Sequence, residues 1–343
     1  IIKNNFKFSK LNLAVSTPYI SVIIPVYNRT QYVGEAINSV LNQTLSKDKY
    51  EIIIVTNVDL PEREGVRIIK SKERWLGPKI AEGIEEAKGE VISLLEDDDL
   101  FLPDKLEVVF KIFRENDKIG LVKNPIKWVN ELGKEWLDPL PKEPIIISHE
   151  NLKLDLISEV ISKYNVGFNN SSMSFRKRDI KEYLPYLREV KIIVDKFIGL
   201  LFLFTSQIVI WNQPLSIYRV WFNSASYKLA NLDQYIQYRS SFKRLVYEDY
   251  LTIHKALKNS RFSELLEKWI KYEKVSLKLW SRNANEVKVT LKDVLDAAPL
   301  YNPKFPKLMI LLVYLASFMP YFLRKKLIFE RFYKNELRNL KFM

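Results

Sequence analysis

Through the first 130 residues, short apolar runs rich in β-branched residues alternate with stretches of helical periodicity. A mostly parallel sheet with crossover helices is written this way. Ile20 to Val26, Glu51 to Thr56, Val66 to Lys70 and Glu90 to Leu95 predict strands. Between them, Tyr32 to Gln43 places Val33, Ile37, Val40 and Leu41 on one helical face, and Lys79 to Lys88 does so with Ile80, Ile84 and Ala87. Gly89 then reads as the C′ residue closing that helix. A further helix runs from Pro103 to about Asn116, and Ile119 to Asn130 resumes strand character. Beyond a proline-rich connection, Asp138 to Pro144, the pattern is mixed up to about Ser226 and helical after Tyr227.

Composition adds a compartment and a partner class. No cysteine occurs, which excludes disulfides and thiolate metal sites and points to a reducing compartment. Ile1 to Lys10 lacks a sustained apolar run and reads as no signal peptide. The net charge of +13 is concentrated: residues 227–343 hold 23 Lys/Arg against 11 Asp/Glu, whereas residues 1–226 hold 31 against 30. Within that basic third, Leu308 to Leu323 is apolar except for Ser317 and Pro320, and Lys304, Lys307, Arg324, Lys325 and Lys326 bracket it. Sixteen residues fall short of the roughly 20 that span a bilayer, and Pro320 should kink the run. A buried core helix is one reading; the basic flanks and the aromatic Tyr314, Tyr321 and Phe322 favour a helix lying in one leaflet of an anionic membrane.

Candidate chemistry sits at the end of the fourth strand. Glu96-Asp97-Asp98-Asp99 follow the apolar run Val91 to Leu95, and in open α/β sheets ligands bind beyond the carboxyl ends of strands. Four acids together are costly unless a cation neutralises them, and all-oxygen ligation suits Mn²⁺ or Mg²⁺. Favourable contact with the dipole of the next helix accounts for one or two acids, less readily for four.

Several blocks in order then resemble the nucleotide-diphospho-sugar glycosyltransferases of family two, which have the GT-A fold. Ser21-Val-Ile-Ile-Pro25-Val26-Tyr27-Asn28-Arg29 is similar to that family's first strand and nucleotide loop, and Ser39-Val-Leu-Asn-Gln43-Thr44 to the end of its first helix. Gly83-Ile84-Glu-Glu-Ala87-Lys-Gly89-Glu90 with Leu94 to Pro103 resembles its helix, fourth strand and Asp-x-Asp motif. Thinner likeness continues through Asn170 to Arg176, Val194-Asp195-Lys-Phe197 and Pro214 to Arg219. The resemblance implies an α/β, Rossmann-like sheet whose nucleotide-sugar half is residues 1–122 and acceptor half 123–226; beyond its reach, pattern and charge predict a helical, basic, membrane-associating region 227–343. It also implies inversion at the anomeric carbon, Asp98 as metal ligand, and Asp195 as the base that activates an acceptor hydroxyl. Pro25, Val26, Tyr27 and Arg29 fall in the donor loop, and Glu96 and Asp97 beside the ribose or metal-bound water. Asp195 could instead be the N-cap of a helix Lys196 to Thr205.

Two departures shift roles. Where the family carries Asp-Asp-Gly-Ser this chain has Thr56-Asn57-Val58-Asp59, so Asn57 takes the place of the carboxylate that meets the base. Where it carries Ala-Arg-Asn the chain has Lys79-Ile80-Ala81, leaving Arg74 and Lys79 as the nearest cations for the diphosphate, unless both are solvated. The expected partners are a UDP- or GDP-sugar, a glycan or lipid-linked acceptor and the cytoplasmic face of a membrane. Transfer to a polyprenyl phosphate and an inactive sugar-nucleotide sensor remain as alternatives. A dinucleotide oxidoreductase is set aside because the loop after the first strand lacks Gly-x-Gly-x-x-Gly. Nucleic acid is set aside because the C-terminal cations are interspersed with acids and accompany an apolar run. His149 and His254 have no ligand-spaced partners and read as surface or capping residues.

Overall fold

A computed structural model describes residues 2–3, 18–221, 231–283, 285, 287–297 and 306–335. The chain divides into two compact units, Ile1–Arg219 and Val220–Met343. The sequence-derived boundary at 226/227 lies outside the described residues.

In chain order the first unit contains β1 (Ile2–Lys3), β2 (Ile20–Val26), α1 (Val33–Leu41), β3 (Tyr50–Thr56), β4 (Val66–Lys70), α2 (Leu76–Glu86), β5 (Val91–Leu94), β6 (Leu100–Phe101) and α3 (Lys105–Glu115). There follow β7 (Ile119–Lys123), β8 (Ile126–Asn130), β9 (Glu135–Leu137), β10 (Ile145–Ser148), α4 (Leu154–Tyr164), β11 (Met173–Arg176), α5 (Lys177–Ile180), α6 (Leu184–Glu189), α7 (Val194–Thr205), β12 (Gln207–Ile210) and β13 (Ser216–Val220). Nine strands form one sheet in the order β1-β10-β12-β7-β11-β5-β2-β3-β4, and four form a small one, β6-β13-β8-β9.

β5, β2, β3 and β4 are parallel, as the alternation predicts. The sheet as a whole is mixed, because β11 inserts antiparallel to both β5 and β7. Every residue of β2 is buried, as a strand covered on both faces requires. Its pairing with β3 continues to Val26, whereas its pairing with β5 stops at Ile23–Leu94. Pro25, which has no N–H to offer a ladder, therefore stands where β5 has already parted from β2. That parting opens a crevice between the loop after β2 and the acids after β5.

Three sequence-derived boundaries change. Strand character from Ile119 to Asn130 is two strands in different sheets, broken at Asn124-Pro125. The helix expected from Pro103 starts at Lys105, with Asp104 as its N-cap. α2 begins three residues before Lys79 and its C-cap is Ala87, so Gly89 is not a C′ residue. A Cβ at Gly89 would come 2.7 Å from Ser21 N, so glycine is required there by close approach to β2, not by backbone handedness.

The second unit is helical: α8 (Leu232–Leu257), α9 (Ser263–Trp280), α10 (Leu291–Asp296), α11 (Pro306–Ser317) and α12 (Tyr321–Arg324), the last continuing into a π-helical turn, Lys325–Phe329. Tyr235, Ile236, Leu279, Trp280 and Phe329 form one core. The apolar run is not one helix. α11 ends at Ser317 and Pro320 is the N-cap of α12, so the proline separates two helices. Arg324 is 2% exposed and donates through Nη1 to the carbonyl of Ser281 at 2.9 Å and also to Leu279 at the end of α9. It caps a helix terminus and is not a flanking cation facing lipid. Lys325 pairs with Asp233. No helix among the described residues is long and apolar enough to cross a membrane.

Candidate active site

The loop after β2 and the turn after β5 meet through Arg29. Its guanidinium pairs with Asp97 and lies 3.0 Å from Asp98 Oδ2. Burial works against the Arg29 charge, but Asp97 and Asp98 more than offset it and keep the group firmly protonated. Among the sequence-derived donor residues, Pro25 and Val26 close β2, and Tyr27 is 39% exposed at the loop's start. Asn28 follows at φ +56°, a left-handed conformation Asn tolerates. Asn57 sits opposite it: Asn28 N–H donates to Asn57 Oδ1 at 3.2 Å, and Asn57 Nδ2 donates back to Asn28 Oδ1. To read a base edge, Asn57 must exchange that amide pair for the ligand.

The two cation candidates separate clearly. Arg74 is exposed and packs over Trp75 at 4.8 Å. Lys79 is 1% exposed, its Nζ has no hydrogen-bond partner, and it lies 5.4 Å from the centre of the Tyr27 ring. Solvation, the alternative weighed for both, therefore holds for Arg74 and fails for Lys79. Burial lowers the Lys79 pKa, and the missing partner is the cost of holding an ammonium out of water.

The acids differ in what they touch. Asp99 is fully buried and accepts from Ser171 Oγ (2.6 Å), Asn169 Nδ2 (2.7 Å) and the Arg219 N–H (3.1 Å). Glu96 accepts from Asn170 Nδ2 at 2.8 Å. Burial pushes Asp97 up to about 6 and, with Asp98 alongside, Asp99 up to about 7; burial followed by the charges of Asp99 and Asp98 raises Glu96 well above the usual range. Asp195 lies in the first turn of α7, whose N-cap is Ile193, so the N-cap reading is wrong. Its Oδ2 accepts from the Asn169 N–H at 2.9 Å and its Oδ1 from the Lys196 N–H at 2.8 Å, while burial raises its pKa. Asn169 thus joins Asp195 to the acid cluster, from a strained backbone at φ +63°, ψ 110°.

No three His, Cys, Asp or Glu side chains among the described residues converge as a metal-holding group. A hexacoordinate Mg²⁺ or Mn²⁺ does not need three, since it takes one or two carboxylates and completes its shell with phosphate and water. The donor set fits such a hard cation: besides Asp98 and Glu96, the amide oxygens of Asn169 and Asn170 are buried without a hydrogen-bond partner beside the acids.

Sequence reasoning missed the supports. Ser39 Oγ accepts from the Phe101 N–H (3.1 Å), and Gln43 binds the Leu102 carbonyl (2.7 Å) and the Leu106 N–H (2.8 Å). These residues of α1 and its exit tether the chain leaving the acid turn, which gives the Ser39–Thr44 block a physical purpose. Beneath the turn, buried Lys105 donates to Asn124 Oδ1 (2.9 Å) and Ser171 O (2.7 Å), and buried Lys123 to Ser172 Oγ (2.6 Å). A cavity of about 590 Å³ lies at the amino ends of β7 and β12, lined by His149, Arg178, Glu182 and others, at the end of the strands opposite the acids.

Residues 21–184 match the model of glycosyl transferase family 2. Uncharacterized glycosyltransferases of Rickettsia conorii (38% identity over 125 residues, 34% of this chain and 20% of the relative) and of Haemophilus influenzae (31% over 145 residues, 39% of this chain and 48% of the relative) are similar to it. The chain thus spans about a fifth to a half of these relatives' length. Among solved structures, S. aureus TarS 1-349 in complex with UDP superposes with a TM-score of 0.55 at 15% identity, covering 90% of each chain. The same protein in complex with UDP-GlcNAc gives 0.52 at 11% identity, again over 90% of each. At these identities the likeness shows the α/β, GT-A type fold. Residues 21–184, a little under half of the chain, are thus similar to glycosyl transferase family 2.

Proposed function

We propose that this protein transfers a sugar, with inversion, from a nucleotide diphosphate to an acceptor hydroxyl. The observation that carries this is Lys79: a buried, unpartnered ammonium beside Tyr27, at the mouth of a crevice whose other wall is the acid turn. Such a group is stabilised by an anionic ligand, and a diphosphate supplies one. Tyr27, with Pro25 and Val26, packs the base, Asn57 meets its edge after releasing Asn28, and Arg29 exchanges carboxylates for phosphate oxygens. Arg74, solvated over Trp75, is given no contact with the donor. UDP is the first nucleotide to test, because TarS of the same fold is described in complex with UDP and UDP-GlcNAc.

Mn²⁺ or Mg²⁺, held by Asp98 with Glu96 and Asp97 nearby, would neutralise charge on the departing diphosphate. Asp195, held by two backbone N–H groups and poised above the usual carboxylate range, takes the proton from the acceptor hydroxyl. The acceptor is a membrane-proximal or lipid-linked glycan, and the protein works peripherally at the cytoplasmic face. Within the C-terminal unit, Leu312, Leu315, Phe318, Phe322 and Leu327 are each more than half exposed, and Lys326 beside them is exposed too, which supports insertion into an anionic leaflet. Thermal melting with a panel of UDP- and GDP-sugars, with and without Mn²⁺, tests the donor reading. Stabilisation by at least one nucleotide is expected, and none by any of them would remove it.

A further inference from the structure

The small sheet carries a layer of aromatic rings that the donor chemistry leaves unused. Trp128 on β8, Trp136 on β9 and Tyr218 on β13 lie across three neighbouring strands, and Phe168 joins them from the loop before the 3-10 turn Asn170–Ser172. Trp128 stacks on Trp136 (5.7 Å between centroids, 15° between planes) and on Phe168 (5.5 Å, 14°), and meets Tyr218 edge-on at 4.7 Å. All four rings are half-buried, whereas the core rings Phe175, Phe197 and Phe202 are at most 1% exposed. A layer that served only as packing would be drawn under cover, since each ring left partly in water forfeits hydrophobic stabilisation.

Single peptide bonds join the layer to two residues that bind the acids. Phe168 precedes Asn169, which binds Asp195 and Asp99; Tyr218 precedes Arg219, whose N–H binds Asp99 at 3.1 Å and whose Nε binds the Asp98 carbonyl at 3.1 Å. Polar groups edge the rings: Asp138 Oδ1 accepts from Trp128 Nε1 (2.9 Å) and Asn165 Nδ2 (3.0 Å). Flat, partly wetted rings bordered by carboxylates and amides match a pyranose, which has an apolar C–H face and a rim of hydroxyls. We propose that this layer is the acceptor subsite, binding a sugar ring of the acceptor by stacking, so that the acceptor is a glycan and not a bare lipid phosphate.

This assignment rests on the glycosyl-transfer reading, and two readouts keep them apart. Trp136 is the residue to change, because Trp128 is central to the stack and hydrogen-bonded to Asp138. The full chain, as wild type, Trp136→Ala and Trp136→Phe, is applied to immobilised oligosaccharides with glucose, galactose, mannose and N-acetylhexosamine termini, and its UDP-induced melting shift is recorded alongside. The expected result is binding to at least one glycan, weakened about tenfold or more in Trp136→Ala, largely restored in Trp136→Phe, with the UDP shift unchanged. Equal glycan binding by wild type and Trp136→Ala overturns the subsite, and so does a wild type that UDP stabilises but no glycan in the panel engages. Trp136-dependent glycan binding without any nucleotide shift would support the subsite and sink the donor reading instead.

Discussion

The Asn169 N–H donates to Asp195 Oδ2 at 2.9 Å while its side-chain amide donates to Asp99 Oδ2 at 2.7 Å, so one residue sets the spacing between Asp195 and the acid turn. Asn169→Ala removes the side-chain link and keeps the N–H, and it also places a β-carbon without the Asn preference at φ +63°. The variant should melt lower, by about 1–3 kcal/mol of unfolding free energy in urea, and lose turnover. An unchanged melting curve would show that the link carries no stability.

Lys79→Met should act in opposite directions on the free and the liganded protein. Removing a buried, unpartnered ammonium should raise the melting temperature of the ligand-free chain, while nucleotide affinity falls about tenfold or more through loss of a charge-assisted contact. Calorimetry with UDP and its sugars measures both. Undiminished affinity would take Lys79 out of the donor site.

A pH signature should come from Lys123, whose burial pushes its pKa down from 10.5 to about 8. Between those values the unfolded chain holds the proton and the folded one does not, so this group's contribution to stability improves as pH rises. Below about pH 8 the folded state carries the full cost of a buried ammonium. Relative to Lys123→Met, the wild type should therefore gain up to about 3 kcal/mol in unfolding free energy between pH 7 and pH 10.5. A pH-independent difference between the two would show that the folded chain holds the lysine's proton as firmly as the unfolded one, so that burial has not lowered its pKa.

Much of the first unit is legible in the sequence, because strand and helix periods are local. Ile20–Val26 and Val66–Lys70 stand where apolar alternation puts them. What the sequence hides is long-range. Nothing in the period of β11 tells that it enters antiparallel between β5 and β7, and Arg29 and Asp97 are 68 residues apart. Lys79, Lys105 and Lys123 read as surface residues by type, yet each is at most 1% exposed. Pro320 was legible as a break, but the burial of Arg324 was not, since only the folded chain brings the end of α9 to it.

Membrane attachment should depend on rings already in water. Phe318 and Phe322 are 58% and 67% exposed, so Phe318→Ser and Phe322→Ser should leave the fold intact. Together they should lower flotation with anionic liposomes by roughly tenfold or more, with little binding of either form to zwitterionic ones. Equal flotation of the double variant and wild type would assign this face to a protein partner.

Transfer itself is tested by offering labelled UDP- and GDP-sugars with Mn²⁺ and a glycan panel to the wild type, Asp98→Ala and Asp195→Asn. Asn at 195 keeps the shape and cannot take a proton, so nucleotide-induced stabilisation should match the wild type while kcat falls at least about 10²-fold. Asp98→Ala should abolish transfer, as should EDTA. Product formed by the wild type and lost in this way is the predicted result; full turnover in both variants, or no glycosylated product from any donor, would contradict it.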